Sequence, residues 1–499
     1  LFFFPVLRYN IPILAAHGSI FPICAGFLKR AEKTGLKTGA CEMEVTAMKK
    51  VIALIVTSCL FLITASCSYD PNTYDDTLPE GYEASAEGYE YTILSDLSSM
   101  ISLCDISGDS LLSEKLRTHY AQIEEELGCV INLEITADAI ESNVFRSASG
   151  ASETADLIES NASTIYNLMN GGYLTALEDM PGISADDEKF GLASQRNFLS
   201  LDGKTYGIFP LYLGVSAPTC SYMLYYNDSI VSQYSSLSPE ILLENGEWNR
   251  ENFLEIARDV TIKDSSPTYA FITPNVEFPD FIDAALFSEG LTPAVKNEDG
   301  SYSYGYEKNK TLNVVSWLTQ MVSTYRLTLD VSGTDADIYS FANGDTAFLV
   351  SSARTGFSLA DSFPQESLAE DLRWISFPSN EEGSVSSFGK NDTFYGISTQ
   401  SATARADSSP ILDRIFSLME GDSESTWKDR LLETYFFNEF DFSNYISSLE
   451  NAGNDNLLEM SSLIDGVHEA WYLVIKGQKS AAQAHEEIES VVEGLLGAS

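Results

Sequence analysis

Two hydrophobic rhythms alternate after residue 88. Tyr89 to Leu97 and Cys129 to Thr136 alternate apolar and polar residues as strands do, and Thr154 to Glu159 contains the short apolar run Ala155-Asp156-Leu157-Ile158. Between the first two, Leu112, Leu116, Tyr120, Ile123 and Leu127 recur at helical spacing over Leu111 to Leu127, with Gly128 at the stop. Helical spacing resumes from Ser160 to Met169 and halts at Gly171-Gly172. Strand, helix, strand, helix in this order predicts a parallel sheet with helices on its faces. Ligands of such sheets lie beyond the carboxyl ends of the strands, which singles out the loops at Ser160 and Asn161 and from Asp105 to Ser110.

Further along, Asp202 to Pro210 reads as a turn and a short strand, and Ser221 to Asn227 as another strand. Trp248 to Val260 and Leu312 to Tyr325 read as helices. Phe341 to Leu349 is a turn feeding a buried strand; Leu372 to Phe377 and Thr393 to Ser398 are strands. A helix from Ala481 to Leu496 ends the pattern, and no short-period repeat is present.

The pattern before residue 88 is of another kind. Met48, Lys49 and Lys50 precede the apolar run Val51 to Ala65, which Ser66 and Cys67 close. A basic start, a short apolar core and small residues before a cut site mark an export signal. The run is about fifteen residues, short of the roughly twenty a spanning helix needs. Cys67 behind Ala65 and Ser66 resembles a bacterial lipobox, in which the cysteine takes up diacylglycerol. Residues 48–66 are therefore expected to be a lipoprotein signal and 67–88 an acylated start and flexible tether; 1–47 is expected to be a spurious upstream extension, since a well-formed signal starts at the internal Met48, and Pro5, Arg8, Pro12 and Pro22 argue against a membrane helix there. This places the protein on the cell membrane, outside the cytoplasm.

Charge narrows the partners. The chain has 29 Lys+Arg against 73 Asp+Glu, net -44, and the leader is its one basic part. Such a field repels nucleic acid. It does not make the ligand cationic, because most of these carboxylates are expected on solvated surface. Hydrophobic content of 44% suffices for packed cores. Beyond Cys67 only Cys104, Cys129 and Cys220 remain, without any CxxC, so no disulfide framework or zinc motif is present; one bridge or three buried thiols stay open.

Six short passages then fall in a telling order. They are Asn170-Gly171-Gly172-Tyr173-Leu174-Thr175-Ala176-Leu177-Glu178, Asp202-Gly203-Lys204-Thr205-Tyr206-Gly207 with Pro210, Tyr225-Tyr226-Asn227, Glu247-Trp248-Asn249, Phe341 to Ala347, and Lys476-Gly477-Gln478-Lys479-Ser480 before the last helix. Together they resemble the sugar-type extracellular solute-binding proteins of ABC transporters, the maltose-binding-protein-like family 1. The resemblance implies an α/β, two-lobed periplasmic-binding-protein-like fold of type II, each lobe a mostly parallel sheet flanked by helices. Lobe 1 would comprise 89–215 plus 396–440 and lobe 2 222–392 plus 441–499, with hinges near Gly214 to Ser221, Asn391 to Gly396 and Phe440. It implies a monomer without cofactor or metal that passes a small solute, a carbohydrate or oligosaccharide, to a membrane permease.

A sugar offers hydroxyls at its edge and C–H groups on its face, which polar side chains and aromatic rings respectively engage. The candidates are Ser160 and Asn161 in lobe 1, Tyr212 and Tyr222 at the first crossover, Arg354 and Phe357 in lobe 2, and Phe394 and Tyr395 at the second crossover. Asn161 can equally cap a helix, and Arg354 can pair with a carboxylate. Of Tyr225 and Tyr226, one is expected in the core and one on a rim. Trp317 and Trp374 read as core, Trp248 as a helix-start packing residue, and Trp471 as core or cleft.

Catalytic signatures are missing. His468-Glu469 and His485-Glu486 lack the second histidine of HExxH, and neither GxSxG, P-loop nor GxGxxG is present. Glu124-Glu125-Glu126 and Asp186-Asp187-Glu188 read as solvated faces rather than a glycosidase pair. No enzyme is expected; a surface glycoside-active enzyme and a non-transport adhesin or sensor remain as alternatives.

Overall fold

The computed structural model describes residues 86–496 apart from 97–101, 105, 149–154, 263–266, 274–277, 298–301, 331–335, 363–370, 381–385, 388, 390–391, 400–404 and 455–463. The signal, Cys67 and most of the tether lie outside the described residues.

The first sheet opens with β1 (Glu90–Ser95), β2 (Val130–Ile135), β3 (Leu157–Asn161) and β4 (Leu174–Thr175), separated by the helices Leu111–Leu127, Ile140–Ala148 and Ala162–Asn170. The first of these helices starts at Ser110, whose hydroxyl accepts from the Ser113 N–H, and stops at Gly128, which takes a left-handed φ of 68°. A hairpin of β5 (Ser200–Leu201) and β6 (Lys204–Thr205) turns at Asp202-Gly203, both at positive φ, as a two-residue hairpin turn requires. The chain then crosses to β7 (Met223–Asn227) and β8 (Phe271–Thr273), makes a separate hairpin of β9 (Ala294–Lys296) and β10 (Tyr302–Tyr304), and continues through β11 (Thr328–Asp330), β12 (Phe348–Ser351) and β13 (Leu372–Ser376). With β14 (Thr393–Ser398) it returns to the first sheet.

The first sheet has the order β2-β1-β3-β14-β4. Here β1 is parallel to β2 and β3, while β14 is antiparallel to β3 and β4. In the second half β7 lies antiparallel between β12 and β13, and β8 is parallel to β11. A parallel bridge from Tyr269 to Thr346 and a bond from the Phe348 N–H to the Ala270 carbonyl (2.8 Å) join β8 to β12. The resulting order, β11-β8-β12-β7-β13, repeats that of the first sheet: second strand, first, third, crossover strand, fourth. In each half the one antiparallel strand is the one arriving from the other half.

Three buried clusters fill this frame. One lies between β1, β14 and the helices Leu111–Leu127 and Arg405–Ile415, with Ile93, Leu116, Ile123, Tyr395 and Phe416. One fills the second half around Phe253, Phe281, Trp317, Phe348 and Trp471. The third, with Ile158, Ile165, Phe209, Tyr225, Phe357, Phe394, Trp374 and Tyr445, draws residues from both sheets and from the helices Thr426–Tyr435 and Glu439–Glu450. Tyr225 and Tyr226 are both fully buried, against the expectation of one at a rim. Alternation does send them to opposite faces, but β7 is a central strand covered on both, so Tyr225 enters one cluster and Tyr226 another. Trp471 is likewise core. The described cysteines Cys104, Cys129 and Cys220 are buried free thiols.

Candidate functional site

The third strand of each sheet ends directly at a helix. On β3, Ser160 is fully buried and its hydroxyl donates to Asp96 Oδ2 (3.1 Å) just beyond β1. Asn161, partly exposed, caps the helix Ala162–Asn170, its Oδ1 accepting from the Thr164 N–H at 3.0 Å. On the other half β12 ends at Ser351, and the helix Ala353–Ser362 begins with the Ala353 N–H bonded to the Cys220 carbonyl (2.8 Å). Arg354, half-exposed, stands in its first turn.

These two strand ends are linked. The first residue of β14, Thr393, is registered against Asn161, and Phe394 against Ser160. Asp392, immediately before β14, is fully buried. Its Oδ2 accepts from the Thr219 N–H (2.8 Å) and its Oδ1 from the Thr219 hydroxyl (2.5 Å), while Arg354 Nη2 stands 3.6 Å from Oδ1. Burial pushes the Asp392 carboxyl up to about 6, against the hydrogen bonds from Thr219 and the charge of Arg354, which act to lower it. A continuous path thus runs from Asn161 through Thr393 and Asp392 to Arg354.

The crossover segments are themselves paired. The Gly389 N–H donates to the Thr219 carbonyl (2.8 Å), the Ser221 N–H to the Ser387 carbonyl (2.5 Å), and the Ser386 hydroxyl to the Ser221 carbonyl. The Tyr445 hydroxyl donates to the Pro218 carbonyl (2.5 Å). A third passage of the chain joins at Gly453, whose N–H donates to the Ser386 carbonyl at 2.9 Å.

The remaining candidates are not on this path. Tyr212 lies in the turn Leu211–Leu213, buried in the shared cluster. Tyr222, at a left-handed φ of 66°, is buried with its ring 5.9 Å from that of Phe287; together with Asp283, Leu291 and Tyr306 these rings line a small cavity. Phe357 packs against Trp374, Tyr435, Phe436 and Tyr445. Phe394 meets Phe209, and Tyr395 meets Phe416, both fully buried. The five rings expected to stack on a ligand are thus core residues: β14 is interior to its sheet, and the helix holding Phe357 is covered by the helices Thr426–Tyr435 and Glu439–Glu450. Ser160, Asn161 and Arg354 are the candidates the structure brings to the strand ends. Sequence reasoning passed over Asp392, Thr219 and Asp96. Asp392 sits in a polar stretch among 73 acidic residues, and its one distinguishing mark is its place directly before the strand Thr393–Ser398.

The three described histidines have structural partners. His119 Nε2 meets the Arg414 and Ile415 carbonyls, His485 Nε2 the Tyr306 carbonyl, and His468 Nε2 lies 2.8 Å from Asp283 Oδ1. Glu124 binds the Ile131 N–H and Glu126 pairs with Arg414. Among the described residues no group of three His, Cys, Asp or Glu could hold a metal ion, and no helix is long and apolar enough to cross a membrane.

Two sheets of one repeated strand order, joined by hydrogen-bonded crossovers and meeting at their third-strand ends, define the two-lobed fold of the extracellular solute-binding proteins. Solved structures share it. The cyclic α-maltosyl-1,6-maltose binding protein from Arthrobacter globiformis superposes with a TM-score of 0.59 at 12% identity, over 83% of this chain and 100% of that one. The GacH receptor of Streptomyces glaucescens, solved unliganded and with acarbose, gives 0.53 at 14% identity over 82% and 99%. An extracellular solute-binding protein family 1 member from Alicyclobacillus acidocaldarius gives 0.53 at 11% over 82% and 99%. No protein-family model and no curated protein matches the sequence.

Proposed function

We propose that this chain is the solute-binding lipoprotein of an ABC importer. It captures a carbohydrate or oligosaccharide between its halves outside the cytoplasm and delivers it to a membrane permease. The observation that carries this reading is the meeting of the two third-strand ends at paired crossovers. A solute held there touches both halves, so binding and closure are one event. Lobe 1 comprises 89–215 with 396–440, and lobe 2 comprises 222–392 with 441–499. Asn161 and Arg354 supply donors and acceptors for sugar hydroxyls, while the buried Ser160 holds Asp96 beside them. The carbohydrate class is supported by the sequence passages described above and by the acarbose and maltosyl-maltose receptors of like fold. The protein acts as a monomer without cofactor, does no catalysis and binds no nucleic acid. Cys67, diacylated, anchors it; two acyl chains hold where one would be marginal.

A thermal-shift screen of mono- and oligosaccharides tests the reading. A ligand at a hundred times its Kd stabilises the folded state by about 2.7 kcal/mol and raises Tm, and it should shrink the particle in solution scattering. A shift with amino acids or peptides and none with sugars would overturn the carbohydrate class. Hydrolysis of an added oligosaccharide would make the protein an enzyme, and a failure of every ligand to close it would leave an adhesin or sensor.

A further inference from the structure

A small cavity in the second half takes no part in the path from Asn161 to Arg354. It has room for one water-sized group and is bordered by Tyr222, Asp283, Phe287 and Tyr306, with apolar side chains completing the wall. Tyr222 is the last residue before β7, and its left-handed φ of 66° is strained for an aromatic residue, a kind of strain that gathers at ligand sites. Its ring lies 5.9 Å from that of Phe287. Asp283 belongs to the helix Phe278–Phe287, which follows β8. β8 runs parallel beside β12, so this helix starts at the same end of the sheet as the helix of Arg354. The Asp283 side chain is 6% exposed. His468 Nε2 lies 2.8 Å from its Oδ1, and among the described residues no hydrogen bond reaches its Oδ2.

We propose that this cavity receives a protonated primary amine, and that the solute is a sugar carrying one. An ammonium group is close to water in size, so it fits the space. A hydroxyl and an ammonium can each bond Oδ2, but only the ammonium adds charge to the bond, in surroundings of low dielectric where charge counts most. The ammonium also stands within the roughly 6 Å over which an aromatic ring attracts a cation, and three rings border this space. Arg354, the cation at the end of β12, does not oppose it, since Asp392 meets that charge. The net charge of -44 draws cations toward the molecule without choosing among them; Asp283 makes the choice. This rests on the solute-capture reading and narrows its carbohydrate to an amino sugar.

Calorimetry and thermal shift of the full chain test this with glucosamine, glucose, N-acetylglucosamine and methylammonium chloride. They are compared at one ionic strength and about pH 6.5, where the sugar amine is protonated. Glucosamine should bind at least tenfold more tightly than glucose or N-acetylglucosamine, which lack the charge. Methylammonium should raise Tm where equal sodium chloride does not, and in excess it should displace glucosamine. Asp283→Asn should lose the preference for glucosamine and the methylammonium shift, while Glu134→Gln, at an exposed carboxylate of β2, should keep both. The wild-type comparisons decide the matter if Asp283→Asn does not fold. Glucose bound as tightly as glucosamine would overturn the amino-sugar class and leave the carbohydrate reading standing; a methylammonium shift beside it would assign the cavity to free amines. Failure of every sugar to bind would strike the solute-capture reading, and methylammonium alone then judges the cavity. A shift lost in Asp283→Asn supports it, and no shift overturns it.

Discussion

Replacing Asp441 with asparagine should stabilise the protein at neutral pH and remove part of its pH dependence. Asp441 is 1% exposed, in the first turn of the helix that covers the outer edge of β13. There the backbone N–H of Trp374 would otherwise face no strand; Asp441 Oδ1 accepts it at 3.1 Å, and Asn444 Nδ2 donates to the Trp374 carbonyl at 3.2 Å. Asn438 Nδ2 donates to Asp441 Oδ2 (2.6 Å), and Arg373 lies 3.9 Å off. Burial outweighs these contacts and pushes the carboxyl from 3.8 up to about 6. The folded state thus holds the proton more tightly than the unfolded chain. The stabilisation is full below about pH 4 and is lost as pH rises through about 6, a gap of about two pH units or ~3 kcal/mol. The amide removes this loss but sets its NH2 against the Asn438 NH2, which cannot simply turn because its Oδ1 already accepts from the Asp441 N–H, at a cost of about 1 kcal/mol. Urea unfolding followed by tryptophan fluorescence should show Asp441→Asn about 2 kcal/mol more stable than wild type at pH 8 and about 1 kcal/mol less stable at pH 4. Parallel stability curves for the two proteins between pH 4 and 7 would refute the reasoning.

Gly356 lets its helix lie against β13 and β7: a Cβ there would overlap the Trp374 and Tyr225 rings. Gly356→Ala should cost about 1–3 kcal/mol in the same titration, and an unchanged urea midpoint would show that the packing yields. Asn161→Ala should cost about 1 kcal/mol through the lost cap. If Asn161 also bonds the solute, affinity for the sugar found by thermal shift falls more than tenfold; unchanged affinity by calorimetry would reduce it to a cap. Cys67→Ser should move the protein from the membrane fraction to the soluble one, and persistent sedimentation with membranes would defeat the lipid anchor.

Elements with strong local signals were legible in the sequence. The helix Leu111–Leu127 has both its apolar stripe and its glycine stop, and β14 and the last helix fall at the residues their apolar pattern marks. Where the local signal is weak, little could be read. β8 and β11 have three residues each, too few for alternation to register, although they are the first and second strands of their sheet. The helix Phe278–Phe287 is apolar nearly all round and so lacks a stripe. The candidate site divides the same way. Ser160, Asn161 and Arg354 could be found because they lie at or just after strand ends that are visible in the pattern. Phe357, Phe394 and Tyr395 could not be sorted from core residues, since a ring that stacks on sugar and a ring that packs on Trp374 look alike in sequence.

The repeated strand order explains why motion between the halves should be felt at the solute. A crossover strand enters its new sheet antiparallel and beside the third strand. Its first residue, just arrived from the other half, must then lie against the last residue of that third strand. This occurs twice: Thr393 opposes Asn161, and Met223 opposes Ser351. The residues one step earlier, Asp392 and Tyr222, are accordingly the last before each sheet takes hold, and both are buried. Any rotation of one half against the other changes the backbone there before it changes anything else, beside the helix starts proposed to receive the solute. The proposed coupling between closure and binding thus needs nothing beyond this strand order, and in one of the two equivalent places the residue at the pivot is a carboxylate.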